Sequence, residues 1–187
     1  RRCSRRDNGG RGRLLRQRRI DERPADVATR ETLGHWEGDL IMGAAETGHL
    51  VPLVERKTRF ALVGWIRTRE AKEVTRMVVR LMSELPAHVR RSLTFDNGKE
   101  FAGHEQIARR LKLDVYFAYP YHSWERGTNE NVNGLVRRLY PKRSSFADID
   151  AYQIWQVRRF LNDRPRGCLN WKTPSEEMAA FLGFAPR

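Results

Sequence analysis

Trp36-Glu37-Gly38-Asp39-Leu40-Ile41-Met42 is a run of strand length that is apolar at most positions yet carries an aspartate at its centre. A carboxylate in such a run is costly to bury unless something neutralises it. The run extends over residues 36 to 43 and is followed by two more, 49 to 54 and 60 to 66. Turn-prone Glu46-Thr47-Gly48 and polar Arg56-Lys57-Thr58-Arg59 separate them, so the three read as sequential antiparallel strands.

Beyond them, Val74, Met77, Val78, Leu81, Met82 and Leu85 recur at helical spacing up to Pro86. A strand at Ser92 to Phe95 follows, then a short helix around Ile107, Ala108 and Leu111, and a strand at Asp114 to Ala118. Helices are expected from about Thr128 to Tyr140 and from about Ile149 to Leu161. A last one is announced by Thr173-Pro174-Ser175-Glu176, with Thr173 as N-cap, Pro174 in the first turn and Glu176 closing a capping box. The order is an α/β pattern: a mixed five-stranded sheet with helices on both faces. An RNase H-like domain is compatible with it, as are other α/β folds.

The 187 residues are enough for one sizeable core and too few for two ordinary domains. Net charge is +13, and it is polarised: residues 1 to 20 hold nine Arg and one Asp with almost no apolar side chains. Residues 1–31 therefore read as an Arg-rich flexible arm or linker and 32–187 as the folded domain. Such an excess of positive charge favours a polyanion, nucleic acid first, through release of condensed counterions. A merely solvated linker is the plainer reading of the arm. No run of about 18 apolar residues and no secretory or lipidation signal is present, from which we expect a soluble intracellular protein without membrane contact. Cys3 and Cys168 form no zinc-type pair, and the five histidines are scattered.

Two further acids join Asp39, and the first of them repeats its anomaly. Asp96 ends the run Leu93-Thr94-Phe95 ahead of the turn signal Asn97-Gly98, which exposes a carboxylate at a strand end. Glu130 lies on a helix whose Arg126, Glu130, Asn133 and Arg137 line one face, opposite Val132, Leu135, Val136 and Leu139. Each alone has an ordinary explanation, as a turn, a cap or a solvated face. Gly134 and the asparagines are poor helix formers, which points to something lying close to that face. Three oxygen donors without clustered His or Cys suit a hard divalent ion, Mg²⁺ or Mn²⁺.

The blocks Gly34-His35-Trp36-Glu37-Gly38-Asp39-Leu40-Ile41, Val54-Glu55-Arg56-Lys57-Thr58-Arg59, Phe95-Asp96-Asn97-Gly98-Lys99-Glu100-Phe101 and Trp124-Glu125-Arg126-Gly127-Thr128-Asn129-Glu130-Asn131-Val132-Asn133-Gly134-Leu135 occur in one order. Asn162-Asp163-Arg164-Pro165-Arg166 and Trp171-Lys172-Thr173-Pro174 follow, and 33 residues separate Asp96 from Glu130. In these blocks the chain resembles the DDE transposases of the bacterial insertion-sequence-thirty family, whose catalytic core is retroviral-integrase-like. The resemblance implies an RNase H-like fold, with Asp39, Asp96 and Glu130 as catalytic residues and ligands of two Mg²⁺ ions, for which Mn²⁺ can substitute. It implies cleavage at DNA element ends and strand transfer by 3′-hydroxyl attack on target DNA. It further implies an upstream helix-turn-helix region in the full-length protein. Joining two ends favours a homo-oligomer on DNA, and the setting would be the bacterial cytoplasm, at the nucleoid.

Tyr119, Tyr121, His122, Trp124 and Arg126 interleave aromatic and basic groups around Pro120, suited to stacking bases and holding phosphates or, more plainly, to packing on the core. His122, Trp124, Arg126, Asn133, Arg137, Lys142 and Arg143 are the expected DNA contacts. Glu37 and Glu100 are left outside the metal shell. Two other functions fit the composition: an RNase H-like nuclease that hydrolyses without joining, and a non-catalytic basic module that coats nucleic acid.

Overall fold

The apolar runs build one mixed sheet in the computed structural model, which describes residues 14, 16–119 and 127–183. Its strands are β1 (Arg18–Arg19), β2 (His35–Gly38), β3 (Ile41–Met42), β4 (His49–Glu55), β5 (Ala61–Ile66), β6 (Ser92–Phe95) and β7 (Asp114–Phe117). The order runs β1-β7-β6-β2-β4, with β5 on the far edge of β4 and β3 beside β4 beyond the end of β2. Pairing is antiparallel among β2 to β5 and parallel from β2 through β6 and β7 to β1.

The first expected strand is present but divided. Trp36 pairs with Glu55 and Met42 with His49 in one unbroken register, which sets Asp39 opposite Pro52. The Asp39 amide donates to the Pro52 carbonyl at 3.1 Å, but proline has no N–H to return. The ladder opens at Asp39 and Leu40 for that reason.

Alternation along the strands feeds two cores. Val51, Leu53, Leu62, Leu93 and Val115 face helices α2 (Ala71–Ser83) and α3 (His104–Leu111), with Met178 of α6 (Pro174–Leu182) joining them. On the other face Leu50, Val54, Ala61 and Val63 meet Val132, Leu135 and Val136 of α4 (Gly127–Leu139) and Val157 and Leu161 of α5 (Ala151–Asn162). Each such side chain, fully buried, contributes roughly 1.5–3 kcal/mol. Leu139, expected on the apolar stripe of α4, is 42% exposed, because the helix ends there and leaves the sheet. The capping box at Thr173 forms as expected, and a second closes α5 between Asp150 and Gln153.

Of the 1–31 segment, the described part lies docked on the domain. β1 pairs with the open edge of β7, Arg18 Nη1 donates to Asp114 Oδ1 at 2.6 Å, and helix α1 (Asp26–Thr29) buries Val27. Ile20 is buried as well. Two apolar side chains and the open sheet edge help hold this basic stretch in place, beside its polar contacts.

His35 and His49 are both buried, and desolvation pushes both below the ordinary histidine value, against the pull of Asp26 on one and Glu46 on the other. The unfolded chain therefore takes up more protons than the native one as pH falls through about 6.5. Stability is expected to decline between pH 7.5 and 5.5. Urea denaturation at the two values should show a smaller difference in a His35→Gln/His49→Gln variant.

Gly134 is exposed in the interior of α4, and an added Cβ would meet nothing within 4 Å among the described residues. The close neighbour expected on this helix is instead at the asparagines. Gly134→Ala should raise stability by about 0.5–1 kcal/mol in chemical denaturation, since only the entropic penalty of glycine is removed.

Candidate active site

Strands β2 and β6 are adjacent and parallel, and the first three β2 residues pair with those 57 positions later: His35 with Ser92, Trp36 with Leu93, Glu37 with Thr94. Asp39 and Asp96 directly follow these strands, two residues past the last pair on each, so both stand at the carboxyl ends of neighbouring strands. Open α/β sheets bind ligands at such ends. The packing beside them is tight: a Cβ on Gly38 would lie 2.4 Å from the Phe95 ring, so glycine at this position leaves the ring its place.

Asp96 Oδ1 accepts from the Gly98 amide at 2.9 Å, the turn that Asn97-Gly98 foreshadowed. Asp39 Oδ2 accepts from Asn133 Nδ2 at 2.6 Å. Asn133 is one turn after Glu130 on the same face of α4, and Arg137, a turn further, donates from Nη2 to the Met42 carbonyl at 2.9 Å. The Glu130 face thus lies along β2 and β3, with Glu130 itself exposed. As placed, no group of three or more His, Cys, Asp and Glu side chains among the described residues converges closely enough to hold an ion. Asp39 and Asp96 are brought together; Glu130 stands on the helix above them.

The start of α4 is anchored from below. Glu37 is wholly buried, its Oε1 paired with Arg56 Nη1 and its Oε2 accepting the Asn129 amide at 3.2 Å. Arg56 Nε also donates to the Val27 carbonyl at 3.2 Å, and Arg59 Nη1 to Thr128 Oγ1 at 2.9 Å. Glu37 is therefore occupied by the scaffold. Glu55 is saturated by the amides of Gly34, Lys57 and Thr58 and the Thr58 hydroxyl, although burial still raises its carboxyl above the usual value.

Glu100 behaves differently. Burial raises its carboxyl, and the negative fields of Asp96 and Asp39 raise it further. Local negative charge concentrates at this end of the sheet, which suits a hard cation.

Of the expected DNA contacts, His122, Trp124 and Arg126 lie outside the described residues. Asn133 and Arg137 are engaged with Asp39 and Met42, and burial lowers the Arg137 value, whereas Lys142 and Arg143 are exposed just after α4. The asparagine bond to Asp39 and the buried Glu37–Arg56 pair went unread in the sequence. For Asn133 a signal existed, its shared face with Glu130; Glu37 and Arg56 meet only through the antiparallel register of β2 on β4.

The integrase core domain model matches residues 29–123, half of the chain. The transposase InsI for insertion sequence element IS30A of Escherichia coli (strain K12) is 39% identical over 157 residues, 84% of this chain and 41% of the relative. The transposase for insertion sequence element IS4351 of Bacteroides fragilis is 39% identical over 94% of this chain and 53% of its own length. The chain thus spans about half the length of the curated relatives it matches. Among solved structures, the catalytic core domain of BIV integrase superposes with a TM-score of 0.59 at 18% identity, covering 80% of this chain and 96% of that one. A chain of the simian T-cell lymphotropic virus intasome in complex with PP2A regulatory subunit B56 gamma gives 0.62 at 18% identity, covering 76% and 53%. The fold is the RNase H-like one of the retroviral integrase cores, and with half its length matched by the family model the chain belongs to the integrase core domain family.

Proposed function

We propose that this chain is the catalytic core of a DNA transposase that cleaves element ends and transfers a 3′-hydroxyl to target DNA, with Asp39, Asp96 and Glu130 as its metal ligands. The observation that carries the reading is the parallel pairing of β2 and β6, which run out into Asp39 and Asp96, together with the bond from Asn133, on the helix face of Glu130, to Asp39. The donor set fits Mg²⁺ or Mn²⁺: all three are carboxylates, and the fields of Asp96 and Asp39 add to burial in raising Glu100. Two bound ions would supply activation of the attacking oxygen and stabilisation of the leaving one. The chain's own residues orient the ligands. Asn133 fixes Asp39, the Gly98 amide fixes Asp96, and the Glu37–Asn129 contact sets the start of the helix that delivers Glu130.

Exposed Lys142 and Arg143 are proposed to contact the DNA backbone beside the site. The whole protein would act as an oligomer on two DNA ends, in the bacterial cytoplasm at the nucleoid, with an upstream helix-turn-helix region supplying end recognition. Among the described residues no helix is long and apolar enough to cross a membrane.

Strand resolution of a labelled branched DNA tests the reading, because a pre-joined substrate makes little demand on end recognition. Product is expected in Mg²⁺ or Mn²⁺, none in EDTA and none from Asp96→Asn. A rejoined strand distinguishes transfer from hydrolysis. Equal product from parent and variant, or DNA binding without product from the parent, would count against a catalytic role for these acids.

A further inference from the structure

The docked arm does more than cover an edge. Gln17 Nε2 and Arg19 Nη1 both donate to Asn97 Oδ1, at 3.1 and 2.9 Å, and Asn97 Nδ2 donates to the Ala118 carbonyl at 2.5 Å. Asn97 is the residue next to Asp96. Its amide therefore ties together the arm, the end of β7 and the turn that presents Asp96. Around it, Arg23 Nη1 reaches Thr94 Oγ1 at 3.4 Å, Tyr119 Oη donates to Asp21 Oδ1 at 3.0 Å, and the Arg19 guanidinium lies 5.7 Å from the centre of the Tyr119 ring. Parallel pairing of Arg18 with Tyr116 and Arg19 with Phe117 sets the register that brings both donors to Asn97.

We propose that Gln17 and Arg19 are positioning residues for the metal site: by gripping Asn97 they fix the turn that aims Asp96, so the site is complete only when the arm is docked on β7. This rests on the reading of Asp96 as a metal ligand. Partners that orient a metal ligand through hydrogen bonds commonly change metal affinity by about 10–100-fold when removed. An arginine that only touched DNA would instead change affinity for DNA, with a reduced salt dependence.

Mn²⁺ binding to the 187-residue chain, followed by electron paramagnetic resonance of the free ion, separates these possibilities without any catalytic assay. Gln17→Ala/Arg19→Ala is expected to weaken Mn²⁺ by about tenfold at unchanged far-UV circular dichroism. Arg19→Lys, which keeps a donor, should recover part of the loss. In an Asn97→Ala background the arm substitutions should have no further effect, because the group they act through is gone. In strand resolution the loss should fall on turnover and be reduced by raising the metal concentration, with KM for DNA little changed.

Asp96→Asn is the control. If it abolishes Mn²⁺ binding while the arm variants bind like the parent, the proposal is overturned and the metal-site reading stands. If Asp96→Asn binds Mn²⁺ like the parent, both fall. Equal effects of the arm variants in the parent and Asn97→Ala backgrounds, or weaker DNA binding at unchanged Mn²⁺ affinity, would also overturn the proposal.

Discussion

Asp39→Asn is expected to reduce strand joining on branched DNA by on the order of a thousandfold or more, about 4 kcal/mol of transition-state stabilisation, while salt-sensitive DNA binding stays near normal or tightens. The reasoning is local. Asn is nearly isosteric with Asp, and Asn133 can still meet its side-chain oxygen, so the fold should survive. What disappears is a negative oxygen ligand at the point where β2 and β6 run out together. Removing the orienting partner rather than the ligand should be milder: Asn133→Ala is expected to cost about 10–100-fold, recoverable in part by more metal. A gel-based assay of joining against Mg²⁺ concentration separates the two. Similar losses from Asp39→Asn and Asn133→Ala, both insensitive to metal, would contradict the assignment of Asp39 as a ligand.

The second large effect is on stability. Arg56→Met should destabilise the fold by about 3–5 kcal/mol, because it strips the wholly buried Glu37 carboxylate of its guanidinium partner and leaves it the neutral Asn129 amide. The Arg56 contact to the Val27 carbonyl is lost too, loosening the docked arm. Glu37→Leu/Arg56→Met should be less destabilised than Arg56→Met alone, since an unpaired buried charge costs more than an apolar pair. A urea-denaturation cycle across the four proteins measures this coupling. A double variant as unstable as the sum of the singles would show that the pair acts independently. The pair also bears on the site, because Glu37 holds the first turn of α4, one residue before Glu130.

What the sequence by itself determined was local. Strand-length apolar runs found the five core strands, and Ser92–Phe95 was placed to the residue because a turn-forming Asn97-Gly98 follows it closely. Period-3.6 apolar positions found α2 to within three residues at its start, and Thr173 marked the start of α6 through a cap that acts over one turn. Asp39 and Asp96 stood out since a charge in an apolar run is anomalous wherever the chain goes. Long blocks shared with a known family supplied Glu130, which helix periodicity alone left as a solvated face.

Only tertiary structure decided how these pieces meet. That Asp39 and Asp96 follow neighbouring strands at the same end of the sheet depends on a parallel register between segments 57 residues apart, and no local pattern encodes register between distant strands. The break of the first strand depends on which residue of β4 falls opposite Asp39; it is a proline, and its missing N–H matters only once that pairing is set. Glu37 and Arg56 look like surface charges in their own segments and become a buried pair when β2 lies against β4 and α4 closes over them. The arm is the clearest case. Two residues of β1 carry no strand signal, and nine arginines in twenty residues read as a flexible arm without a core of its own. The described part of that stretch is held by Ile20, Val27, the open edge of β7 and a grip on Asn97, all of them contacts with residues far along the chain. Local periodicity reports which face of an element is apolar; it is silent on which distant edge, charge or amide will complete it.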